Sequence, residues 1–318
     1  MSIGKDVPMS EIRLGIIGLG VMGRRTLDVA VGHPDFTVVR ASDVTETDPG
    51  VPFTTNPEEI VTAADVDAVY IATPPAFHAD LAVTALRSGK AVFCEKPLAV
   101  SLADAQRMLD AATETGLANA VNFALSDRNA VRYVAEADLG TVRGVDIRTQ
   151  FPRWPRDFQA TATWLAGRDQ GGFVREVLSH FVYLTDRIAG PLTAVETSVD
   201  YSDGPDGTGS EVAARGLLRA GDVPVHVSAM SGLAGPELYE WVIWGTRRSF
   251  MLRNWAQLFV TEGGEWQPVE LRGESGSEHS RLTLFAEAIR GGKSADLADF
   301  AAGYRVQRAI EAFHGLQA

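Results

Sequence analysis

The sequence has little of what several classes of protein depend on. Its 318 residues include one cysteine, Cys94, which excludes an intramolecular disulfide and argues against a zinc site built from thiolates. Four of the six histidines, His33, His226, His279 and His314, show no metal-ligand spacing, and we expect no bound metal. A reducing compartment fits this composition, and we expect a cytoplasmic protein.

Long apolar runs and positive charge are also scarce. No stretch approaches the roughly 20 apolar residues of a membrane span, and the N-terminal MSIGKDVPMSEIR has no apolar signal core. We therefore expect neither membrane association nor secretion. Lys and Arg total 29 against 41 Asp and Glu, a net charge of −12. Proteins that bind nucleic acid normally carry a basic stripe, so no nucleic-acid partner is expected.

The first part of the chain alternates apolar strands with helical stretches. Strands that read as continuous apolar runs between helices predict a parallel sheet covered on both faces. We expect a doubly wound Rossmann domain over residues 1–122. The segments that support it are the strands IRLGIIGLG, FTVVRASD, DAVYIATPP, KAVFCEKP and LANAVNFA and the helices MGRRTLDVAV, HADLAVTALRSG and LADAQRMLDAATETG.

The pattern changes after about Asn122. A helix at RNAVRYVAEADLG, a strand at TVRGVDIRTQF and a helical region at GGFVREVLSHFVYLTDRIAG come before a series of strands. Short turns between successive strands predict a large, mostly antiparallel sheet and an α+β second domain. We expect residues 123–281 to bind substrate and form oligomers, and helices in 282–318 to pack back on the first domain. The predicted strands are TAVETSVDYS, EVAARGLLRA, VPVHVSAMSG, YEWVIWGTRRSFMLRN and AQLFVTEG.

A glycine turn joins the first strand to the first helix. In GLGVMG, the glycines Gly18, Gly20 and Gly23 have the spacing of the dinucleotide fingerprint, and Val21 and Met22 complete the turn. Asp43 ends the second strand about 20 residues later, where an acid can accept hydrogen bonds from ribose hydroxyls. The acid favours NAD, although Arg40 and Ser42 nearby leave NADP possible.

Further motifs resemble the glucose–fructose oxidoreductase/inositol dehydrogenase (Gfo/Idh/MocA) family. Members carry a TP-x-x-x-H stretch, a helix ending in glycine and a strand ending in EKP. The matching residues are Thr73, Pro74, His78, Gly89, Glu95, Lys96 and Pro97. The resemblance implies a lysine, Lys96, beside the nicotinamide and the substrate hydroxyl, and cofactor contacts from Thr73, Pro74, His78, Glu95 and Asn122. Lys96 also ends a parallel strand, where doubly wound sheets bind ligands.

A second group of residues lies in the later helical region. Glu176 and His180 are four apart and would share one face of a helix. Family members usually have GGG-x-x-x-D-x-G-x-H there, so the resemblance places Glu176 at the Asp position and implies catalytic roles for Glu176 and His180. The usual Trp-Arg before the glycines is Trp164-Leu165 here, and we consider Arg168 as a substitute for the missing arginine. These departures predict an atypical substrate.

The resemblance implies an NAD(P)-dependent oxidoreductase acting on a hydroxyl-bearing carbon of a sugar, cyclitol or related small molecule. Lys96 and His180 would share the proton transfer. The expected assembly is a homodimer or homotetramer. Two alternatives stay open: a catalytically silent dinucleotide-binding regulator, and an imine reductase or lyase on the same fold.

Overall fold

The computed structural model describes residues 11–202 and 207–315. It contains two sheets, each covered by helices. Residues 1–10, which make up most of the N-terminal segment MSIGKDVPMSEIR, lie outside the described residues. Four residues of the turn-rich DGPDGTG, 203–206, also lie outside them. In the described ranges, no helix is long and apolar enough to cross a membrane.

The predicted Rossmann sheet is confirmed. Six parallel strands run in the order β3-β2-β1-β4-β5-β6. They are β1 (Ile12–Ile17), β2 (Phe36–Ser42), β3 (Phe53–Thr54), β4 (Ala68–Ile71), β5 (Ala91–Cys94) and β6 (Asn119–Val121). The helices between them are α1 (Val21–Val31), α2 (Glu58–Val61), α3 (His78–Arg87) and α4 (Leu102–Thr115). Every residue of β4 and β5 is buried, as their unbroken apolar sequences predict.

The strand order places a ligand crevice at one edge of this sheet. The order reverses between β1 and β4, and such switch points bind ligands at the carboxyl ends of the strands. Gly18 follows β1, Thr73 follows β4, and Lys96 follows β5. Three sequence motifs separated along the chain therefore meet at one edge.

The second sheet has eight strands and is mostly antiparallel, as predicted. Its order is β14-β13-β12-β11-β7-β10-β9-β8, and the β7–β10 pair is parallel. The strands are β7 (Val142–Phe151), β8 (Leu192–Tyr201), β9 (Glu211–Ala220), β10 (Val223–Ser231), β11 (Leu238–Gly245), β12 (Ser249–Arg253), β13 (Gln257–Thr261) and β14 (Gln267–Pro268). Trp241 points toward the helical layer, because its indole N–H donates to Thr185 at 2.9 Å.

One predicted strand is two strands. The stretch YEWVIWGTRRSFMLRN was expected to be continuous, but it forms the β11–β12 hairpin. Gly245 marks the turn: a Cβ there would lie 2.3 Å from the carbonyl oxygens of Arg248 and Leu139. The residues on both sides of the turn are apolar, so the sequence pattern predicted one continuous strand and gave no sign of this close approach.

The helical region of the second domain contains an irregular turn. Helix α5 (Asn129–Glu136) precedes β7, and α6 (Ser179–Ala189) follows a π-helical segment at Val174–Leu178. The sequence predicted a helix here but not its wider winding. Segments of this kind occur frequently at functional sites, and this one carries Glu176.

The C-terminal helices pack back on the first sheet. Helix α7 (Glu278–Ile289) places Phe285 against Phe36 and Phe93. Helix α8 (Phe300–Glu311) lies between α4 and α6. It therefore contacts both halves of the molecule.

Candidate active site

The glycine turn after β1 is tight on one side and open on the other. Gly18 has a φ of +89°, and a Cβ there would lie 2.7 Å from the backbone of Ala72. A Cβ on Gly23 would lie 1.8 Å from the carbonyl oxygen of Gly18, so α1 can approach the turn closely only with glycine at this position. A Cβ on Gly20 would meet no atom of residues 11–202 or 207–315 within 4 Å. This geometry leaves the space that a pyrophosphate needs beside the backbone.

Helix α1 begins at this turn with free amide groups. Gly20 is its N-cap, no side chain among the described residues caps it, and its first turn holds no acidic residue. The unpaired N–H groups and the helix dipole make such an end attractive to a phosphate.

A cavity of about 420 Å³ lies above the turn, between the two halves of the protein. From the first sheet it is lined by most of the residues expected to bind cofactor: Gly18, Gly20, Val21, Met22, Asp43, Thr73, Pro74 and Glu95, together with Lys96. From the second half it is lined by Phe158, Gln159, Thr161, Ala162, Thr163, Trp164, Leu165 and Glu176. Four expected site residues are not on its wall: Gly23, His78, Asn122 and His180.

The residues present fit a dinucleotide. The turn leaves room above Gly20, and the Thr73 hydroxyl oxygen is buried without a hydrogen-bond partner among the described residues. Thr73 lies on the wall of the same cavity. A bound polar ligand would satisfy this hydroxyl, as buried polar groups require.

Asp43 stands at the end of the cavity nearest β2. Its Oδ2 accepts from the backbone N–H of Leu19 at 2.6 Å, and its Oδ1 accepts from that of Thr45 at 3.0 Å. The carboxylate therefore fixes the glycine turn and still borders the cavity. Arg40 is directed elsewhere and makes a two-pronged pair with Asp65, with distances of 2.9 to 3.2 Å.

Lys96 is joined to Glu176 across the cavity. Its Nζ donates to the Glu176 Oε2 and, at 3.1 Å, to the Glu176 backbone carbonyl. Both side chains are largely buried, with 9 % and 15 % of their surfaces exposed. The positive charge of Lys96, at the end of β5, is therefore paired with the carboxylate of a residue 80 positions later in the chain.

The sequence did not single out the other neighbours of Glu176. Gln159 donates to Glu176 Oε1 at 2.8 Å, and Arg156 Nη2 lies 3.7 Å from the same oxygen. Arg156 is itself held by Gln159 at 2.9 Å and by the Tyr239 hydroxyl at 3.1 Å. The helices of the surrounding segment are short 3₁₀ turns, so the sequence has no helical or strand periodicity there that could predict these contacts. The Glu176 carboxylate therefore lies between two cations.

His180 lies behind the cavity wall. Its Nδ1 accepts from the backbone N–H of Ala124 at 3.2 Å, which leaves the ring proton of a neutral imidazole on Nε2. Its ring packs edge-on against Phe123 and Trp255. Burial, followed by the positive charge of Lys96 and three arginines, lowers the pKa of His180 well below its usual value. His180 is therefore neutral near pH 7.

Glu95 is held by a buried polar network. Its Oε1 accepts from the Tyr70 hydroxyl at 2.5 Å and from Asn122 at 2.7 Å. Arg281 of α7 donates to the Asn122 side-chain oxygen at 2.7 Å. Burial raises the pKa of Glu95, while Lys96 and the two hydrogen bonds oppose this. Asn122 is not on the cavity wall, but it donates a hydrogen bond to Glu95, which is.

His78 fastens two turns of the first domain together. Its Nε2 lies 2.9 Å from the Thr73 carbonyl oxygen, and its Nδ1 lies 3.0 Å from that of Pro97. The residue is fully buried, and burial lowers the pKa of its imidazole. It supports the positions of Thr73 and Lys96 from below the cavity.

Arg168 does not take the place of the missing family arginine. Its guanidinium carbon lies 4.3 Å from the ring centre of Tyr201, and it is not on the cavity wall. Trp164 does line the cavity. The cation that approaches Glu176 from this half is Arg156.

Comparison with known protein families identifies the first domain. The family model GFO_IDH_MocA, described as "Oxidoreductase family, NAD-binding Rossmann fold", matches residues 12–123. Residues 12–123 are thus similar to the NAD-binding domain of the Gfo/Idh/MocA family. The match ends near Asn122, where the sequence pattern changes.

Curated dehydrogenases and reductases align with part of the chain. A dTDP-3,4-didehydro-2,6-dideoxy-alpha-D-glucose 3-reductase of Streptomyces violaceoruber is 33% identical over 165 residues, 48% of each chain. Inositol 2-dehydrogenase 2 of Paenarthrobacter aurescens is 34% identical over 146 residues, 42% of this chain and 44% of its own. A 1,5-anhydro-D-fructose reductase of Ensifer adhaerens is 45% identical over 84 residues, 26% of this chain and 25% of its own. The alignments thus span a quarter to about half of these relatives.

Solved structures share the fold over nearly the whole chain. A levoglucosan dehydrogenase in complex with NADH and L-sorbose has a TM-score of 0.82 at 20% identity, covering 96% of both chains. A biliverdin reductase from Synechocystis sp. PCC 6803 has a TM-score of 0.80 at 18% identity, covering 97% of this chain and 99% of the other. At these identities the likeness establishes the shared fold of both domains and no more.

Metal ligands do not gather at this site. Within 11–202 and 207–315, no group of three or more His, Cys, Asp or Glu side chains could hold a metal ion. The titratable groups of the cavity are instead Lys96, Glu176, Glu95 and Asp43.

Proposed function

We propose that this protein is an NAD(P)-dependent dehydrogenase or reductase acting on a CH–OH group of a sugar, cyclitol or related small molecule. The observation that carries the proposal is the Lys96–Glu176 pair on the wall of the cavity that the glycine turn opens. The names of the aligned relatives, a sugar reductase and an inositol dehydrogenase, agree with this substrate class.

Lys96 is the proposed proton carrier. Nicotinamide supplies or accepts the hydride when it is bound. In the reductive direction the Lys96 ammonium donates a proton to the oxygen of the substrate carbonyl as that carbon gains hydride. In the oxidative direction the same nitrogen takes the hydroxyl proton. Glu176 holds the Lys96 side chain at the cavity wall and compensates its charge.

Glu176 and His180 have supporting roles in this proposal. Glu176 is fixed by Gln159 and faces Arg156, so it orients Lys96 and a substrate hydroxyl. His180 is neutral, with its Nδ1 committed to the backbone of Ala124. It would therefore act as a hydrogen-bond donor through Nε2 rather than as a cation.

The proposed cofactor preference is for NAD over NADP. Asp43 borders the cavity, and its carboxylate would attract ribose hydroxyls and repel a ribose phosphate. Arg40 is engaged by Asp65 and would not neutralise that phosphate.

We also propose that residues 123–281 mediate assembly into a homodimer or homotetramer. Val242 and Trp244 alternate with Trp241 along β11 and so face away from α6. Trp244 is 40% exposed, and apolar area of this kind often marks an interface. The domain boundaries at 122 and 281, a small-molecule substrate and a cytoplasmic location belong to the same proposal.

A panel of sugars and cyclitols tests the activity. Purified protein is incubated with each compound and NAD or NADP, and formation of reduced cofactor is followed by absorbance. The reverse reaction is assayed with the corresponding ketoses and inosose. Turnover with any of them separates an enzyme from a silent regulator. Turnover only with imines would favour the alternative chemistry.

A further inference from the structure

We propose that the C-terminal helix α8 positions the Lys96–Glu176 pair, with Arg175, Gln307 and Glu311 as positioning residues. This inference rests on the proposed function, because it assigns those residues to the same reaction. None of them lies on the cavity wall. They act through the backbone segments that carry Lys96 and Glu176.

The link to Glu176 runs through its neighbour Arg175. While Glu176 enters the cavity, the Arg175 guanidinium makes a two-pronged pair with Glu311, at 2.9 and 2.7 Å. Its Nη1 also donates to the Arg168 carbonyl at 2.6 Å. Both charged groups are almost fully buried. A buried planar pair permits little movement, so it fixes the π-helical turn on which Glu176 sits.

The link to Lys96 runs through the residues that follow Pro97. A Cβ on Gly303 of α8 would lie 2.8 Å from Val121 and 3.3 Å from Leu98, so the helix packs directly on this segment. The Gln307 side-chain oxygen lies 3.5 Å from the backbone nitrogen of Ala99, a long hydrogen bond. Helix α8 thus also supports the turn that presents Lys96.

Gln307 connects the two links. Its amide nitrogen donates to Glu311 Oε1 at 2.6 Å, while its oxygen accepts from Ala99. Gln307 and Glu311 are one helical turn apart and face the same way. The contacts therefore close a ring from the Lys96 turn through α8 and Arg175 to Glu176, and back to Lys96. Because Lys96 and Glu176 come from different domains, their spacing depends on what holds the domains together, and α8 does this.

The matched variants are Arg175→Lys and Arg305→Lys. Arg175→Lys keeps the charge but loses the two-pronged geometry. Arg305 also makes a two-pronged pair, with Asp186 between α8 and α6 at a closest distance of 2.8 Å, although its side chain is 41% exposed where that of Arg175 is 4% exposed, and it does not adjoin a cavity residue. It controls for general loosening of the α8–α6 contact.

A double-mutant cycle in kcat tests whether Arg175 acts through Glu176. Misplacement by about 1 Å can cost about 100-fold in rate, so Arg175→Lys should lower kcat by at least about 10-fold with little change in KM for the cofactor. Arg305→Lys should stay within about twofold. In a Glu176→Gln background, Arg175→Lys should have almost no further effect on kcat. Equal losses in the two lysine variants, or full additivity with Glu176→Gln, would overturn the proposal.

A crystal structure of Arg175→Lys tests the positioning without any turnover. The Lys96–Glu176 contact should be lost or lengthened in the variant and kept in Arg305→Lys. If Arg175→Lys does not fold, Gln307→Met takes its place, because it removes the connecting amide and leaves the buried ion pair. An unchanged contact in the variant contradicts this inference whatever the activity. A displaced pair in a protein that turns over no sugar or cyclitol would instead reject the proposed function alone.

Discussion

The buried carboxyl of Glu211 should make stability depend on pH in a defined direction. Glu211 lies at the start of β9, against the turn that opens the π-helical segment; a Cβ on Gly172 would come within 1.9 Å of its Oε2. Burial raises the pKa of Glu211 to about 7, and backbone N–H groups and Arg175 oppose this only in part. His314 lies 3.4 Å away, and burial lowers its pKa to about 3.

The sign and size follow from these values. Between pH 4.5 and about 7 the folded protein keeps the Glu211 proton that the unfolded chain releases, so this contribution is complete below pH 4.5 and is lost as pH rises to about 7. The difference from the ordinary value corresponds to about 3 kcal/mol. Glu211→Gln mimics the protonated form. The variant should therefore gain about 3 kcal/mol relative to the native protein between pH 5 and pH 8.

Urea unfolding of both proteins at a series of pH values measures this difference. His314→Asn provides a control of opposite sign. The native protein loses the His314 contribution as pH falls from 6.5 toward 3, so this variant should gain relative stability in acid. A Glu211→Gln difference that does not change with pH would refute the reasoning. It would mean that Glu211 is ionised and paired with a protonated His314.

Three further predictions concern the cofactor turn and the assembly. Asp43→Ser should shift the NAD/NADP affinity ratio toward NADP by at least about 10-fold, and equal cofactor affinities unchanged by the substitution would count against the role of Asp43. Gly23→Ala should destabilise the protein and abolish cofactor binding, because its Cβ would clash with the Gly18 carbonyl oxygen. Gly20→Ala should fold normally and only weaken cofactor binding. Thermal unfolding and cofactor titration distinguish the two variants. Light scattering at micromolar concentration should show a dimer or tetramer that Trp244→Arg weakens, and a native monomer would contradict the proposed interface.

Local patterns were enough to predict the cofactor half of the molecule. The glycine spacing and Asp43 lie within one strand–helix–strand unit, where short-range geometry determines the structure. The EKP strand end could likewise be placed at the crevice, because parallel strands end at one edge. The hairpin at Gly245 was not predicted, because the feature that requires glycine there is a close approach to the backbone of Leu139, which is distant in sequence.

Contacts between distant residues could not be predicted in this way. Lys96 and Glu176 are 80 residues apart, and Arg175 and Glu311 are 136 residues apart. The sharing of proton transfer by Lys96 and His180 stays a prediction, and the contact between distant residues that the structure shows at Lys96 is with Glu176. The resemblance places Glu176 where family members usually have Asp, a side chain one methylene shorter. The direct contact of Glu176 with Lys96 depends on how the two domains pack against each other, which local sequence patterns do not determine.

The rate of Lys96→Ala on an identified substrate tests the central claim most directly. A positioned acid or base contributes about 100- to 10,000-fold, so kcat should fall by at least about 100-fold. Binding of NAD(H), followed by fluorescence, should be unchanged because the glycine turn and Asp43 are intact. His180→Ala serves as a comparison, with a smaller loss expected of a neutral donor. Near-native turnover by Lys96→Ala would show that Lys96 is a structural ion-pair partner of Glu176, contrary to this account.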